Sequence, residues 1–295
     1  MTQQFLPGLE KPRSTATVST PDLASYDLIE ISSSAGKDSQ AMTFHVAGLL
    51  REAGLLERGV VVHADLGRVE WPETPALAET HARLAGLRFM KVKRPQGDLL
   101  EHVEKLGKWP MPTQRFCTAD HKRGQIYTAF TALAEEARER LVREAAVAGH
   151  SFNRPVRILN CVGLRAEESP GRAKRPTLKR DKRSSGKGTA KVVDMWLPIQ
   201  HWTEAEVWAA CRASGAPTHP AYAAGLPRAS CVFCIYAPEG ALQIAGHAHP
   251  ALLAEYVAVE QRIGHTFKHG LPIAKVAADV AAGVRPTGAI ESWCM

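Results

Sequence analysis

The sequence predicts an α/β fold in which a doubly wound, mainly parallel sheet is followed by a small, mostly helical C-terminal region. Short apolar runs that favour strands alternate with segments of helical period, and such alternation implies right-handed crossovers between parallel strands. After Trp196 the alternation stops and helical patterns dominate. A chain of 295 residues, 45% hydrophobic and 23% charged, can bury one large α/β core with a smaller appendage.

The predicted elements follow one another along residues 25–200, which we expect to form the α/β domain. Strands are expected at Leu28–Ile31, Val60–Ala64, Phe89–Val92 and Arg157–Val162, and helices at Gln40–Ala53, Thr74–Leu84, Leu99–Leu106 and Ile126–Ala146. Residues 1–24, rich in Ser, Thr and Pro, are expected to be a loosely ordered lead-in, and residues 201–295 the helical region. Ligands of such sheets bind beyond the carboxyl ends of the strands, so function is expected in the loops there.

The formal net charge of +7 is unevenly placed along the chain. Between Arg165 and Lys191 there are ten Lys or Arg against three Asp or Glu, so this one segment carries the whole basic excess. We expect residues 172–191 to form a mobile basic loop. Clustered cations neutralise phosphates, so the loop either becomes ordered on nucleic acid or stays a solvated surface loop.

Composition also limits where the protein works. No stretch approaches 18 uncharged apolar residues, and the first residues lack the apolar core of a secretory signal. We therefore expect no membrane span and a cytoplasmic location. Six cysteines in that compartment favour thiols or metal ligands over disulfides.

The segment after the first strand, SSSAGKDS at 32–39, predicts a phosphate-binding turn (the phosphate turn). Small residues let backbone N–H groups approach an anion, and the helix that begins near Asp38 adds the positive end of its dipole. Lys37 can reach phosphate oxygens. The segment is not a Walker A loop, because Ile31 stands at its first Gly and Asp38 at its Ser or Thr. An ordinary strand, turn and helix with a solvated Lys is the alternative. Nucleotide contacts are expected from Ser32, Ser33, Ser34, Gly36, Lys37, Asp38 and Ser39.

This segment resembles the SGGKDS pyrophosphate loop (PP-loop) of the ATP pyrophosphatase superfamily, with Ala35 in place of one Gly. Further segments, in the same order, resemble those of the 3′-phosphoadenylyl-sulfate (PAPS) reductase family. They are ADLGRVEWPET at 64–74, RFCTADHK at 115–122, GLRAEESPGR at 163–172 and the tryptophan-rich stretch that ends in a C-x-x-C pair at 196–234. The resemblance covers about residues 24–235. It implies a Rossmann-like, adenine nucleotide α-hydrolase-like domain that binds ATP or an adenylyl sulfate with Mg²⁺.

The resemblance implies further nucleotide-binding residues. Asp65, at the carboxyl end of the second strand, is placed to meet Mg²⁺ or a ribose hydroxyl, although a helix-cap region without ligand contact is the alternative. Gly163, Arg165 and Arg172 match the element that brings guanidinium groups near the nucleotide. A planar guanidinium can bind two oxygens of a phosphate or sulfate at once, whereas solvated surface arginines are the alternative.

Three cysteines are expected at a metal centre. The spacing of Cys231 and Cys234 lets two thiolates hold one metal or cluster iron, and Cys117 stands among basic residues that lower a thiol pKa. Family reductases that carry a [4Fe–4S] cluster have adjacent cysteines at the latter position, where Phe116 precedes Cys117. Three ligands then remain, and the fourth iron is either open or held by another Cys. Structural zinc, free or redox thiols, and Cys117 as a small buried hydrophobe are the alternatives.

The reaction is left open between three hypotheses. The intact GKDS favours cleavage of ATP between its α and β phosphates, coupled to sulfur transfer as in the DNA-phosphorothioation-type members. The second is thiol-dependent reduction of an adenylyl sulfate to sulfite, for which a displaced Cys294 is the match to the family's C-terminal Cys. The third is a nucleotide-switched nucleic-acid-binding module. The candidate catalytic residues are Lys37, Asp38, Cys117 and Cys294, and the implied partner is a sulfur donor or a thioredoxin-like reductant.

Overall fold

A six-stranded sheet lies at the centre of the computed structural model, which describes residues 20–185 and 190–293. The strands are β1 (Leu28–Ser33), β2 (Gly59–Asp65), β3 (Arg88–Lys93), β4 (Val156–Val162), β5 (Leu178–Arg180) and β6 (Lys191–Trp196). Their order across the sheet is β3-β2-β1-β4-β6-β5. All neighbours pair in parallel except β5 and β6, which are antiparallel.

Helices of eight or more residues cover the sheet and build the C-terminal region. They are α1 (Lys37–Glu52), α2 (Thr74–Ala85), α3 (Leu99–Leu106), α4 (Gly124–Val147), α5 (Glu204–Ala213), α6 (Glu239–Ala248), α7 (Pro250–Ile263) and α8 (Ile273–Ala281). Within the described residues, none of these helices has the length and apolar character needed to cross a bilayer.

The alternation of side chains along β1 explains the two covered faces of the sheet. Ile29 and Ile31 point into a core shared with α1 and α5, whereas Leu28 points into a core shared with α4. Because β1 is buried on both faces, its sequence is an apolar run, as is typical of central parallel strands. The doubly wound, mainly parallel α/β fold is therefore confirmed. The four predicted strands and four predicted helices are confirmed to within a few residues at their ends.

Two strands, β5 and β6, were not expected from the sequence. The prediction of a loop over 172–191 is wrong for Leu178–Arg180, which pairs with β6 in the register Leu178↔Trp196. An edge strand can expose charged side chains and needs no apolar pattern, so composition hides it. Asp194 of β6 holds the pair together, since it accepts hydrogen bonds from Arg180 Nε (2.6 Å) and from the Tyr26 hydroxyl (3.1 Å).

A third core joins the C-terminal helices to the loops at the carboxyl edge of the sheet. Leu66, Leu99 and Trp109 from the first half of the chain pack in one cluster with Tyr256 and Phe267. Residues 201–293 thus contact the same edge at which ligands of such sheets bind. The division of the chain into domains at 200 and 201 stays a prediction.

Glu30 is a carboxyl group in the interior of the sheet. It is fully buried in the middle of β1, on the face covered by α4, and accepts a hydrogen bond from Ser32 Oγ (3.0 Å). Burial raises the pKa of Glu30 to about 8, against the smaller effect of the Ser32 hydrogen bond, which lowers it. At neutral pH the folded protein therefore keeps this carboxyl group protonated.

Replacement of Glu30 should make the stability less dependent on pH. The folded-state pKa lies above the ordinary carboxyl value of 4.5, so the neutral group favours the folded state. This contribution is complete below the ordinary pKa and is lost as the pH rises through about 8. Urea unfolding measures the free energy of unfolding at pH values from about 5 to about 8. As the pH rises over this range, we expect the wild type to lose free energy of unfolding and Glu30→Gln not to lose it. Glu135→Gln, an exposed change on α4, should follow the wild type. Parallel curves for Glu30→Gln and wild type would contradict the assignment.

Candidate functional site

The turn between β1 and α1 lies at the carboxyl edge of the sheet. Ala35 in this turn has a φ of 56°, and among the described residues it is the one non-glycine residue with a positive φ. The left-handed conformation costs an L-residue about 1–2 kcal/mol, which explains why a Gly suits this position. Here the methyl group is fully buried against Leu77 and Ala78, and that contact offsets the strain.

The backbone amides of the turn divide into two groups. Three already donate to oxygens of the protein, namely those of Ser34 (to Ser39 Oγ, 3.2 Å), Ala35 (to Ser33 Oγ, 3.2 Å) and Lys37 (to the Tyr222 hydroxyl, 2.7 Å). The amides of Gly36, Asp38 and Ser39 have no acceptor among the described residues. The first turn of α1 therefore keeps N–H donors, together with its dipole, for an anion.

The predicted serine hydroxyls have different roles. Those of Ser33 and Ser39 hold the turn itself, because they accept from the backbone amides named above. Ser32 lies inside β1 and donates to Glu30, so its hydroxyl is occupied within the sheet. Ser34 is exposed at the turn. Of the four, Ser34 is the hydroxyl that the structure leaves facing solvent.

Lys37 is buried, and its ammonium group points toward the C-terminal half of the chain. Nζ lies 3.2 Å from the Pro227 carbonyl oxygen, 3.4 Å from Glu204 Oε1 and 3.7 Å from Asp38 Oδ2. The Tyr222 ring lies beside it, with its centroid 5.7 Å from Nζ. The ammonium group is thus surrounded by oxygens of the protein. Phosphate oxygens can serve as hydrogen-bond acceptors for it in the same way.

Asp38 is fixed by Arg165, which follows β4. The Arg165 side chain is buried, and its Nε donates to Asp38 Oδ1 over 2.5 Å while another guanidinium nitrogen contacts Glu167. Gly163 makes this approach possible, because a Cβ there would lie 3.2 Å from the Asp38 carbonyl oxygen. The loop after β4 is thereby fastened to the first turn of α1.

Arg172 and Asp65 lie farther out along the same edge. Arg172 pairs with Glu168, whose carboxylate also lies 3.6 Å from Arg228. Asp65 ends β2, and its Oδ1 accepts a hydrogen bond from the Gly67 amide (2.7 Å), which shapes the following turn. Asp65 does not cap α2, whose N-cap is Glu73.

The three predicted metal cysteines line one cavity. Cys117 comes from the single helical turn Phe116–Thr118, and Cys231 and Cys234 come from the segment before α6. The walls are mainly apolar, and among the described residues that line it Lys122 is the one with a charged side chain. Burial raises the pKa of Cys231 to about 12 and also raises the pKa of Cys234. In the metal-free cavity both are neutral thiols.

The donor set of the cavity can be compared with those of two kinds of metal centre. Structural zinc needs four ligands around one centre, whereas this cavity brings together three cysteines. An iron–sulfur cluster takes its thiolates on different irons, so its ligands stand farther apart. Three thiols around an otherwise apolar cavity match that donor set.

The structure adds residues that sequence reasoning missed. Tyr222 and Pro227 contact Lys37, and the P-x-x-P-x-Y pattern at 217–222 was the available signal for the tyrosine. His102 and His121 are buried with Nδ1 and Nε2 3.0 Å apart, and His121 lies on the π-helical turn Ala119–Arg123, just after Cys117. No sequence signal joins two histidines from separate elements. Cys294, the fourth candidate catalytic residue, lies outside the described residues.

The chain is similar to a curated protein and to several solved structures. A curated relative, an uncharacterized 37.8 kDa protein of Escherichia phage 186, is 24% identical over 178 residues, which are 59% of this chain and 47% of the relative. The chain therefore spans about half of that relative's length. Among solved structures, PAPS reductase from Candida auris in a phosphate complex is 14% identical with a TM-score of 0.46, covering 71% of this chain and 84% of that one. The U34-tRNA thiolase NcsA from Methanococcus maripaludis, with its [4Fe-4S] cluster, is 13% identical with a TM-score of 0.41, covering 89% of this chain and 74% of that one.

A family model extends over most of the chain. The model described as the phosphoadenosine phosphosulfate reductase domain matches residues 29–237, from the middle of β1 to just after the C-x-x-C pair. The match includes the phosphate turn, the Asp38–Arg165 pair and all three cysteines of the cavity. The chain therefore belongs to the phosphoadenosine phosphosulfate reductase domain family.

Proposed function

We propose that the protein cleaves ATP between the α and β phosphates, adenylates a substrate oxygen and then replaces that oxygen with sulfur. The observation that carries this proposal is the first turn of α1. It combines unpaired amides with Lys37 and with an Asp38 carboxylate that Arg165 holds in place. Such a set of donors and charges suits a reaction whose leaving group is pyrophosphate. Kinship to the DNA-phosphorothioation-type members stays a prediction.

The first step makes one bond and breaks one. A substrate oxygen attacks the α phosphorus of ATP, and the bond from that phosphorus to the oxygen bridging the β phosphate breaks. The amides of Gly36, Asp38 and Ser39 and the ammonium group of Lys37 stabilise the negative charge that pyrophosphate carries away. Mg²⁺, bound mainly by the phosphates, would take Asp65 as its protein ligand.

Phosphate binding would change the contacts of Lys37. Glu204 Oε1 lies 3.4 Å from Nζ, but this carboxylate is half exposed, so the ion pair is weak and can be given up. Oxygens of the β phosphate would then take its place. Arg165 keeps Asp38 in position, because its own carboxylate partners leave it no freedom to turn away.

The second step requires a sulfur nucleophile. A hydrosulfide attacks the atom that bears the adenylated oxygen. The bond to sulfur forms as the bond to that oxygen breaks, and AMP leaves with the oxygen. Cys117, Cys231 and Cys234 would hold a [4Fe–4S] cluster, which when bound supplies a coordination position for sulfur on the iron without a protein ligand. Lys122, the charged side chain of the cavity wall, would offset the negative charge of the thiolates.

Substitution of Lys37 tests the first step. We expect Lys37→Met, which keeps the side-chain volume, to lower the rate of AMP and pyrophosphate formation from ATP by about 10²–10³-fold, because one charge that stabilises the leaving group is lost. Both products are quantified by chromatography. Lys105→Met, an exposed change on α3, is the control and should retain the wild-type rate. Equal product from Lys37→Met and wild type would remove the proposal.

Substitution of the cysteines tests the cluster. Protein purified without oxygen should be brown and contain about four irons per chain. We expect Cys231→Ser and Cys117→Ser to lose most of this iron, since a hydroxyl is a poor ligand for iron in a cluster. Cys161→Ala, at a buried cysteine within β4, should keep it. Metal analysis and visible absorption give the answer, and a colourless wild type with one zinc would contradict the cluster.

Reduction of an adenylyl sulfate is a second candidate function, and one contact favours it. The Trp293 carbonyl oxygen accepts a hydrogen bond from Arg228, which follows Pro227, whose carbonyl contacts Lys37. The residue before Cys294 is thus anchored beside the phosphate turn. A Cys294 thiolate that attacked the sulfur would release the nucleotide, and a thiol of a thioredoxin-like reductant would then release sulfite.

The second candidate makes its own prediction. With PAPS or its unphosphorylated analogue and a dithiol reductant, the wild type should release sulfite and Cys294→Ser should release none. Sulfite is measured with a thiol-reactive dye, and Cys161→Ala, at a buried cysteine within β4, is the control. Sulfite release that survives in Cys294→Ser rules this mechanism out.

A further inference from the structure

We infer that the protein binds nucleic acid along an exposed basic strip beside the site, and that the bound polymer is the substrate class of the proposed reaction. The basic strip consists of Lys174, Arg175, Lys179, Lys182 and Arg183, all of which are exposed. The identification of the polymer as substrate rests on the proposed function. The binding itself does not.

The cations of the strip have no acidic partners. Among the described residues, none of the five side chains lies within ion-pair distance of a carboxylate, whereas their neighbour Arg180 pairs with Asp194 over 2.6 Å. Exposed cations elsewhere are either paired, as Arg88 is with Glu136, or stand apart from one another, as Arg83, Lys105 and Arg212 do, whereas the strip gathers five within residues 174–183. Five unpaired positive charges on adjacent residues repel one another, so they form a field that a polyanion would neutralise.

The strip begins at the carboxyl edge of the sheet, where the candidate site lies. The carbonyl oxygen of Arg175 accepts a hydrogen bond from Gln200 Nε2 (2.6 Å), and that of Thr177 accepts from the Leu197 amide (2.8 Å), just beyond the end of β6. From there the strip follows β5, the outermost strand. The turn after β5 folds back on β6, where Ser185 Oγ accepts from the Val193 amide (2.8 Å).

Arg123 is a further exposed cation, and it is close in sequence to the cysteine cavity. Near the strip, the pKa of Tyr127 is raised, because burial and the Asp181 carboxylate raise it more than Arg123 and Arg183 lower it. Arg123 is exposed and directly follows Lys122, which lines the cavity together with Cys117. Exposed positive charge is therefore present next to the cavity wall as well as along the strip.

A bound polymer explains the distribution of these exposed cations better than a small nucleotide does. It also explains it better than the need to keep the edge strand β5 from pairing with another chain. A single nucleotide needs one binding site for its phosphates, and the turn before α1 provides it. Charges that keep an edge strand from pairing explain Lys179 on β5, but not Lys174 and Arg175 before it or Lys182 and Arg183 after it. Cations spread over several turns match the regular phosphates of a nucleic acid strand.

Two matched variants test the strip. The strip variant combines Lys179→Ala, Lys182→Ala and Arg183→Ala. The control variant combines Arg83→Ala, Lys105→Ala and Arg212→Ala, which remove the same formal charge from exposed positions on α2, α3 and α5. Binding to labelled duplex DNA, single-stranded DNA, an RNA stem-loop and anionic lipid vesicles is measured by fluorescence anisotropy or co-sedimentation over a range of salt concentrations.

We expect the wild type to bind at least one nucleic acid with strong salt dependence, and the DNA and RNA arms identify which kind. The strip variant should lose about tenfold or more in affinity and show a shallower salt dependence, because phosphate contacts are lost. The control variant should stay close to the wild type. Absence of nucleic-acid binding by the wild type, equal losses in both variants, or strip-dependent binding to vesicles alone would each overturn the inference.

Two further measurements on the wild type distinguish a failure of this inference from a variant that does not fold and from a failure of the proposed function. Ultraviolet cross-linking followed by peptide mass spectrometry should place the bound nucleic acid on peptides from 174–185, and cross-links confined to other elements would overturn the inference even if a variant failed to fold. Calorimetry with ATP on the same preparation distinguishes the two proposals. ATP uptake without nucleic-acid binding removes this inference alone. Nucleic-acid binding without ATP uptake removes the proposed function, and with it the polymer's role as substrate, but leaves the binding in place.

Discussion

The ion pair between Asp38 and Arg165 is the contact on which the arrangement of the site depends. It joins the first turn of α1, which follows β1, to the loop after the neighbouring strand β4. A buried guanidinium without a carboxylate would cost several kcal/mol, so either partner alone would destabilise this edge. Glu167 extends the pair, because it contacts Arg165 and also accepts a hydrogen bond from the Glu204 amide at the start of α5 (2.9 Å). Three loops are thereby held at one place.

The site is shaped by elements from both halves of the chain. The segment from Tyr222 to Pro227 contacts Lys37, and a Cβ on Gly36 would lie 3.3 Å from the Ala229 methyl group. The same segment continues directly into the C-x-x-C pair. The turn before α1 and the cysteine cavity are therefore both lined by one short segment of the chain.

Charge is used in two different ways on this molecule. At the site, Lys37, Arg165 and Arg172 are each paired with carboxylates of nearby residues. Along the basic strip, the cations lack such partners among the described residues. Paired cations hold loops in place, whereas unpaired cations at the surface attract a ligand of opposite charge. The cysteines of the cavity carry no charge of this kind, since burial raises the pKa of Cys231 and of Cys234 and favours the neutral thiols.

The sequence by itself determined the elements whose patterns are local. The helical period of the apolar residues predicted α1 to α4, and short apolar runs predicted β1 to β4. The turn at 32–39 was predictable because the residues that give it its chemistry are consecutive. Tertiary structure decided the rest. The pairing of β5 with β6, the hydrogen bond of Ser32 to Glu30 and the contacts of Lys37 with Glu204 and Pro227 all depend on residues far apart in the chain or on burial. Local propensity carries no information on such partners, because they are chosen by how the sheet, the edge loops and the C-terminal helices pack.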